Sequence, residues 1–363
     1  MRTFRVRLSL VSSLGTPFQA DTLFGHICWA IRYLEGEGAL TEFLDAYTDG
    51  KTPVILSDGM PAIGNRFYLP YPRLPVHPKD HHQLAERLGI SPENRAQRRL
   101  FESTCKAVEK KPWVEAETLM RRASPISVLT ILEDCLSLKI CPGTMSERDG
   151  AQCSCADWQE CPALDTGLGN SAKCHYIYPE SFAVVTMHNV IDRITMASVN
   201  LYSREDLFPA HDFYFLISID EQIFSQDRLA ACLDYLARTG YGRDKSSGCG
   251  AIRELKVEEW SLPHVSDANG FLNLSSAYVP TPGKLPRGFY QVHVKRGKIA
   301  EDYVLSYSPW KRPILMIRAG AVFEGDPNAP YGSLLKNVHY QLDQVVQYGY
   351  AYPLGVKIDA EAL

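Results

Sequence analysis

The sequence predicts an α+β protein with a ferredoxin-like (RRM-like) core in residues 1–260 and a smaller β-rich module in residues 265–363. Residues Phe4–Leu10 alternate between apolar and polar side chains, which is typical of a half-buried strand, and apolar residues at helical spacing follow from Leu23 to Leu34. Residues 213–260 repeat this order as strand, helix, glycine-rich loop and strand. The order β-α-…-β-α-β suits a ferredoxin-like core that carries insertions.

Length and composition narrow the functional classes. A chain of 363 residues is long enough for two domains, and 45% hydrophobic with 22% charged residues is ordinary for a globular protein with a sizeable core. The net charge of −4 excludes a generic polyanion binder, so any nucleic-acid surface must be a local basic groove. No apolar run approaches the roughly 18–20 residues of a membrane span, and a cytoplasmic location is expected.

The beginning of the chain contains one potential anion-binding site. The polar face of the first strand carries Arg5 and Arg7, and a polar loop leads from it into the first helix, for which Asp21 is the predicted N-cap. Exposed N–H groups at a helix N-terminus attract phosphate. We expect this entrance to lie close to the glycine-rich loop in space.

The glycine-rich loop covers residues 240–250, with the sequence GYGRDKSSGCG. Its glycines allow the backbone to approach a ligand closely, Arg243 and Lys245 supply positive charge, and N–H groups with Ser246 and Ser247 can donate to phosphate oxygens. A loop that grips a phosphodiester backbone is one interpretation. A plain helix-to-strand connection is the other, and composition does not separate them.

Cysteine is the unusual feature of the composition, because six of ten cysteines fall between Cys135 and Cys174. Clustering in a polar segment favours metal over disulfides. The spacing is too irregular for a typical finger motif, but four thiolates suffice for structural zinc. The predicted ligands are Cys141, Cys153, Cys161 and Cys174, with Cys155 or His175 as substitutes. An iron–sulfur cluster and free thiols remain the alternatives.

Five segments follow one another along nearly the whole chain: SLGTPFQADTLFGHICWA, NVIDRITMAS with the following LYSREDLF, YGRDKSSGCG, KRPILMIRAGAVFEG and VVQYGYAYPLGVKI. Together they resemble RAMP-superfamily subunits of type III (Csm-type) CRISPR effector complexes. The resemblance is to subunit four, the member of the fifth Cas family that caps the 5′ end of the guide RNA.

The resemblance implies two ferredoxin-like RAMP modules and no cofactor for the core function. It also implies a non-catalytic subunit that holds the repeat-derived 5′ handle of the guide RNA (crRNA). Its neighbours would be the large polymerase-like signalling subunit and the first backbone RAMP subunit. The cysteine-rich insertion 141–175 departs from the family pattern, so the resemblance says nothing about it.

A single-stranded RNA handle is recognised by backbone contacts, base stacking and hydrogen bonds to base edges. The predicted contacts lie in the loop, at the first helix entrance, where Phe18 would stack on a base, and in the segment NVIDR, whose asparagine and arginine match the family. The full set is Ser12, Ser13, Gly15, Phe18, Gln19, His26, Asn189, Arg193, Gly240, Tyr241, Gly242, Arg243, Lys245, Ser246, Ser247, Gly248 and Gly250.

Two other functions compete with this one. His26 invites comparison with RAMP relatives that cleave RNA, so a metal-independent endoribonuclease that processes precursor crRNA is the enzymatic alternative, with Tyr241 and Lys245 as possible partners. The apolar surroundings of His26 favour a packing role, and we predict no nuclease activity. A zinc-stabilised protein-interaction module is the third hypothesis, but it leaves the glycine-rich loop unexplained.

Overall fold

The computed structural model describes residues 1–76, 78–87, 89–91, 93–120, 125–137, 179, 181–261, 265, 267–281, 283–300 and 308–359. The predicted metal ligands Cys141, Cys153, Cys161 and Cys174, like Cys155 and His175, lie outside the described residues. No helix in the described ranges is both long and apolar enough to cross a membrane.

The chain is a mixed α/β protein whose paired strands are antiparallel. The helices are α1 (Ala20–Glu35), α2 (Glu37–Thr48), α3 (Pro78–Arg87), α4 (Arg95–Glu109), α5 (Ala116–Met120), α6 (Val128–Ser137) and α7 (Gln226–Thr239). The strands up to residue 260 are β1 (Arg2–Leu10), β2 (Val54–Leu56), β3 (Met60–Ile63), β4 (Arg66–Pro70), β5 (Trp113–Glu115), β6 (Ser181–Ile191), β7 (Ser198–Pro209), β8 (Asp212–Ile219) and β9 (Ile252–Glu259). The remaining strands are β10 (Gly270–Asn273), β11 (Gly288–Phe289), β12 (Val292–Lys295), β13 (Ile314–Ile317), β14 (Val322–Glu324), β15 (Gly332–Leu335), β16 (Gln347–Tyr350) and β17 (Pro353–Val356).

The main sheet has the order β5-β4-β3-β8-β1-β9, with β2 also pairing with β8. Strand β1 lies in the middle, antiparallel to β8 on one side and to β9 on the other. With α1 and α7 as the connecting helices, this arrangement agrees with the predicted order β-α-…-β-α-β. The alternation of β1 is also observed, since Phe4, Val6 and Leu8 are buried.

Both faces of this sheet are covered. On one face, the apolar side chains of β1 pack with Leu23 and Ile27 of α1 and with Leu233 of α7. On the other face, Tyr214 and Leu216 of β8 share a core with α3, α4 and α6 and with strands of the C-terminal region. The first and last parts of the chain therefore stabilise each other through a common core.

The C-terminal region is built from strands. A four-stranded sheet has the order β11-β14-β10-β17, and β12 pairs with β13 and β15 with β16 in two further ribbons. Every regular element within the described part of residues 267–359 is a strand. Helices of a second β-α-β-β-α-β unit are thus not among the described residues.

Strands β6 and β7 form a hairpin that stands apart from the sheets. Their register runs from Ser181 opposite Pro209 to Ile191 opposite Ser198, and an isolated bridge joins Leu207 at the hairpin base to Leu14. Large apolar side chains are exposed along it, most of all Ile194 at 93% and Met196 at 75% in the turn. Such a surface is typical of a segment that another molecule covers in an assembly.

Candidate nucleic-acid interface

The glycine-rich loop begins where α7 ends and is held by left-handed glycines. Gly250 has φ 65°, and a Cβ there would lie 1.9 Å from the carbonyl oxygen of Tyr241. Gly242 has φ 79°, and a Cβ there would lie 3.1 Å from the Thr16 side chain. Only glycine can be accommodated where residue 250 packs against the Tyr241 backbone, so the loop has a defined, tightly packed conformation.

Backbone N–H groups of this loop donate to the first loop of the chain and to α1. Gly250 N donates to Ser13 O at 2.7 Å, and Arg243 N donates to the Thr16 hydroxyl at 3.2 Å. Gly242 N donates to His26 Nε2 at 3.0 Å. These N–H groups are not available to a phosphate, contrary to what composition suggested. The predicted proximity of the loop to the α1 entrance is observed.

The N–H groups at the N-terminus of α1 also donate to acceptors within the chain. Ala20 N donates to Asp58 Oδ1 at 2.9 Å, and Gln19 N donates to the Tyr241 hydroxyl at 3.0 Å. Gln19 is the N-cap residue, so the prediction of Asp21 is wrong. The Asp58 carboxylate already takes the place that a bound anion would take at a helix N-terminus.

The aromatic residues of the entrance are buried. Phe18 is 4% exposed and stacks on Tyr241 with ring centroids 4.1 Å apart, while Tyr241 is fully buried. The Tyr241 hydroxyl donates to Pro17 O at 2.7 Å. The prediction that Phe18 is available for base stacking is therefore wrong, because its ring belongs to the core that joins the loop to α1.

His26 is a structural acceptor. Its Nε2 atom accepts the Gly242 N–H, which requires the lone pair of a neutral ring. Burial lowers the pKa of His26 to about 3, and the positive charge of Lys245 acts in the same direction. A ring held neutral and hydrogen-bonded in this way fits the packing interpretation and not that of a general acid at neutral pH.

The serines of the first loop that were predicted to bind RNA make contacts within the chain. Ser12 Oγ accepts from Ala251 N at 2.9 Å and donates to Ser13 O at 3.3 Å. Ser13 Oγ lies 3.8 Å from Cys249 Sγ. A Cβ on Gly15 would lie 3.0 Å from Arg243 O, so Gly15 permits close packing with the loop.

What remains open is the outer edge of the loop, residues 243–248, here called the loop rim. Arg243, Ser246, Ser247 and Gly248 are exposed, and Lys245 is half-buried. The Ser247 hydroxyl donates to Asp244 O at 3.1 Å. The rim is the part of the predicted site that another molecule can reach.

The charge of the rim is largely compensated. Arg243 lies 3.3 Å from Asp244 and 3.6 Å from Asp206, and it donates to Glu205 O at 2.8 Å. Asp206 also pairs with Arg204 at 2.8 Å. Arg243 therefore ties the loop to the base of the β6–β7 hairpin, and its guanidinium is not a free phosphate ligand.

The arginines of β1 are paired as well. Arg5 lies 2.6 Å from Glu258, between the rings of Phe67 and Trp260. Arg7 lies 2.7 Å from Asp212. The expected anion-binding face of the first strand is thus made of ion pairs with its two neighbouring strands.

Asn189 and Arg193 lie far along the hairpin. Asn189 is opposite Leu201, six residues before the base contact at Leu207, which corresponds to roughly 20 Å at the rise of a strand. Arg193 is in the exposed turn, and Asn189 accepts from the Ser198 hydroxyl at 2.6 Å. The structure does not bring these two residues to the loop rim.

The residues that join α1 to the C-terminal region were not among those predicted from the sequence. Asp58 Oδ2 accepts from Ser276 N at 3.0 Å, and Lys295 Nζ donates to Gln19 Oε1 at 2.7 Å and to Asp21. Gln347 donates to Asp21 Oδ2 at 2.7 Å. Asp58 lies in an apolar stretch, where a lone carboxylate is the kind of signal that points to a buried polar contact.

No family model matches the chain. Over 345 residues it is 26% identical to the CRISPR system Cms protein Csm4 of Thermococcus onnurineus (strain NA1), covering 94% of this chain and 92% of that protein.

Solved structures share the fold. A chain of the crystal structure of the Csm3-Csm4 subcomplex in the type III-A CRISPR-Cas interference complex matches with TM-score 0.55 and 14% identity over 99% of this chain and 100% of that one. A chain of the Csm1-Csm4 cassette in complex with pppApA matches with TM-score 0.53 and 19% identity, also over 99% and 100%. The predicted resemblance is thereby confirmed: the chain is similar, over nearly its whole length, to the Csm4 subunits of type III CRISPR complexes.

Proposed function

We propose that this chain is a structural RNA-binding subunit of a type III CRISPR complex that holds the crRNA 5′ handle. The observation that carries the proposal is the rigid loop rim, which is fixed by glycines and internal hydrogen bonds and open only at its outer edge. A rim of this kind recognises the shape of an RNA backbone, whose phosphates and 2′-hydroxyls are the constant features of a handle.

The rim contacts would come from Lys245, Ser246, Ser247 and Gly248. The Ser246 hydroxyl and the lysine can bind phosphate oxygens, whereas the Ser247 hydroxyl, which donates to Asp244 O, can accept from a 2′-hydroxyl. Gly248 is exposed, and a Cβ there would meet nothing within 4 Å. The buried members of the predicted set, Phe18, Tyr241 and His26, would act by holding the rim in place. Asn189 and Arg193 would meet the guide only where it passes the hairpin.

The partners follow from the relatives. One solved relative is a Csm1-Csm4 cassette and another is a Csm3-Csm4 subcomplex. We infer that this chain bridges the large signalling subunit and the first backbone subunit, and that the apolar β6–β7 hairpin is covered in that assembly. The division into ferredoxin-like modules at residues 1–260 and 265–363 belongs to the same proposal.

The test uses the complex co-expressed with its partner subunits and a CRISPR array. Ser246→Glu places a carboxylate on the exposed rim, whereas Ser246→Gln has a similar size without the charge. We expect the first variant to lose at least about tenfold of the RNA bearing the common 5′ handle, and the second to retain it. Equal retention by both variants, with assembly intact on gel filtration, contradicts the proposal.

The endoribonuclease alternative has its own outcome. Precursor crRNA incubated with the purified chain in the presence of a chelator should remain intact, because His26 is neutral and hydrogen-bonded to the loop. Efficient cleavage that His26→Gln abolishes would establish the enzyme instead. Absence of any RNA from the purified complex would favour the protein-interaction hypothesis.

We also propose that the insertion 141–175 binds one structural zinc through Cys141, Cys153, Cys161 and Cys174. Four thiolates would hold a polar segment that has little apolar surface of its own. Metal analysis of the purified chain should return about one zinc per chain, and Cys153→Ser with Cys161→Ser should remove it. A value well below one in the unsubstituted chain contradicts the proposal.

A further inference from the structure

A second surface, which shares no residue with the loop rim, lies on the outer face of the paired segments that extend the β12–β13 ribbon after Lys295 and before Ile314. Its members are exposed and are either cationic or aromatic, and we call them the basic–aromatic ridge: Arg296, Lys298, Trp310, Arg312 and Tyr340. Nothing in the sequence motifs singled out this group, because its members come from three separate segments.

The ridge is contiguous. Lys298 and Trp310 are opposite each other in an isolated antiparallel bridge, and Arg296 lies two residues before Lys298 on the same side. Arg312 lies two residues after Trp310 and approaches Tyr340. Alternation puts Lys311 on the inner side, where it donates to Val346 O at 2.7 Å.

Each aromatic ring of the ridge carries a cation. The Lys298 ammonium lies 4.3 Å and the Arg296 guanidinium 5.1 Å from the centre of the Trp310 ring, and Arg312 lies 4.8 Å from that of Tyr340. These separations are within the range of cation–π attraction. Trp310 is 36% and Tyr340 62% exposed, so both rings can be reached by a base.

The cations of the ridge have no carboxylate partner among the described residues. Arg296, Lys298 and Arg312 form no ion pair there, unlike Arg2, Arg5 and Arg7 of β1, each of which is bound to a carboxylate. Unpaired cations of one sign on a chain of net charge −4 create a local attraction for polyanions.

We propose that the basic–aromatic ridge binds single-stranded RNA independently of sequence. The rings of Trp310 and Tyr340 stack on bases, and the three cations move onto the flanking phosphates. This combination of stacking rings and flanking cations is the one by which single strands are bound without base readout. The proposal goes beyond the handle site, since the ridge requires no particular RNA end.

The test measures binding of a fluorescein-labelled oligouridine of about 12 nucleotides to the purified full chain by anisotropy. Trp310→Leu should weaken binding by about 5- to 150-fold, the loss of one stacked base, while Trp310→Phe keeps most of it. Arg296→Ser with Lys298→Ser should lower the slope of log K against log salt by about 1.4.

Two controls separate the ridge from its surroundings. Leu315 is exposed on the same outer face but outside the ridge, and Arg238 is an exposed arginine on α7. Leu315→Ser and Arg238→Gln should leave oligouridine binding unchanged. Thermal unfolding of every variant checks that the fold is kept.

Three results would overturn the proposal. One is no oligouridine binding by the unsubstituted chain, and another is equal binding by Trp310→Leu. The third is loss of a partner subunit from both Trp310→Leu and Leu315→Ser with RNA binding kept, which would make this face a protein interface. The loss of oligouridine binding caused by Trp310→Leu should be the same with and without Ser246→Glu, so the ridge proposal and the handle proposal are tested by different variants.

Discussion

The loop rim and the basic–aromatic ridge both carry arginine and lysine, yet their charges are arranged in opposite ways. At the rim, Arg243 is bound to Asp244, Asp206 and the Glu205 carbonyl. At the ridge, the cations lie over aromatic rings without a carboxylate among the described residues. The rim is therefore a surface of fixed shape, whereas the cations of the ridge form no ion pair within the described part of the chain. A count of basic residues in the sequence does not distinguish the two.

The largest effect is expected where the glycine-rich loop that carries the rim is packed most tightly. Gly250→Ala places a Cβ 1.9 Å from Tyr241 O at a left-handed φ and should lower the free energy of unfolding by roughly 3 kcal/mol. Gly248→Ala is the matched control, since its φ is also positive but nothing lies within 4 Å, so we expect about 1 kcal/mol. Urea denaturation measures both. Equal losses would show that the glycine-rich loop is not packed as described at residue 250.

Because Asp58, which joins α1 to the C-terminal region, has a raised pKa, we expect the free energy of unfolding to depend on pH. Burial raises the pKa of Asp58 to about 6, above the unfolded value near 3.9. The folded state therefore binds this proton more tightly, and the associated stability is present at low pH and lost as pH rises through about 6. Relative to Asp58→Asn, the free energy of unfolding of the unsubstituted chain should fall by about 2 kcal/mol between pH 4 and pH 7. A constant difference in urea denaturation over this range would contradict it.

Substitutions of His26 test how the glycine-rich loop is attached to α1. His26→Ala leaves the Gly242 N–H without its acceptor and should cost about 2 kcal/mol, whereas His26→Gln offers a carbonyl oxygen and should cost less. The ring should also stay neutral from pH 8 to pH 5, because burial lowers its pKa to about 3. Nuclear magnetic resonance of the ring carbons measures this directly. Titration near the usual value of about 6.5 would refute the buried acceptor.

The smallest expected effect on the free energy of unfolding comes from replacing one cation on each surface. Arg243→Ser removes the contacts with Glu205 O and Asp206 and should cost about 1 kcal/mol, reduced by the partial exposure of the side chain. Lys298→Ser removes no ion pair among the described residues and should stay within about 0.5 kcal/mol. Equal costs, measured by thermal unfolding, would remove the distinction between rim and ridge.

Local periodicity was enough to predict the elements that frame the site. The alternation in β1 and the helical spacing in α1 and α7 are local signals, and the left-handed glycines follow from the glycine-rich composition of the loop. The resemblance based on ordered motifs along the chain was confirmed by comparison with Csm4.

The remaining features depend on contacts between distant residues. Glu258 pairs with Arg5, Asp58 takes the N-terminus of α1, and Lys298 is opposite Trp310 only once the ribbon forms. No periodicity encodes these pairings. For the same reason, Phe18 was predicted to be exposed, since its sequence neighbours are polar although Tyr241 and Phe213 bury it.

The central claim is that the loop rim holds the 5′ end of the guide. The most direct measurement is photocrosslinking of a guide with 4-thiouridine in its handle within the assembled complex, followed by mass spectrometry of the crosslinked peptides. We expect crosslinks to residues 243–248 that Ser246→Glu reduces at least about tenfold and Ser246→Gln does not. Handle crosslinks confined to other parts of the chain, unchanged by Ser246→Glu, would contradict it.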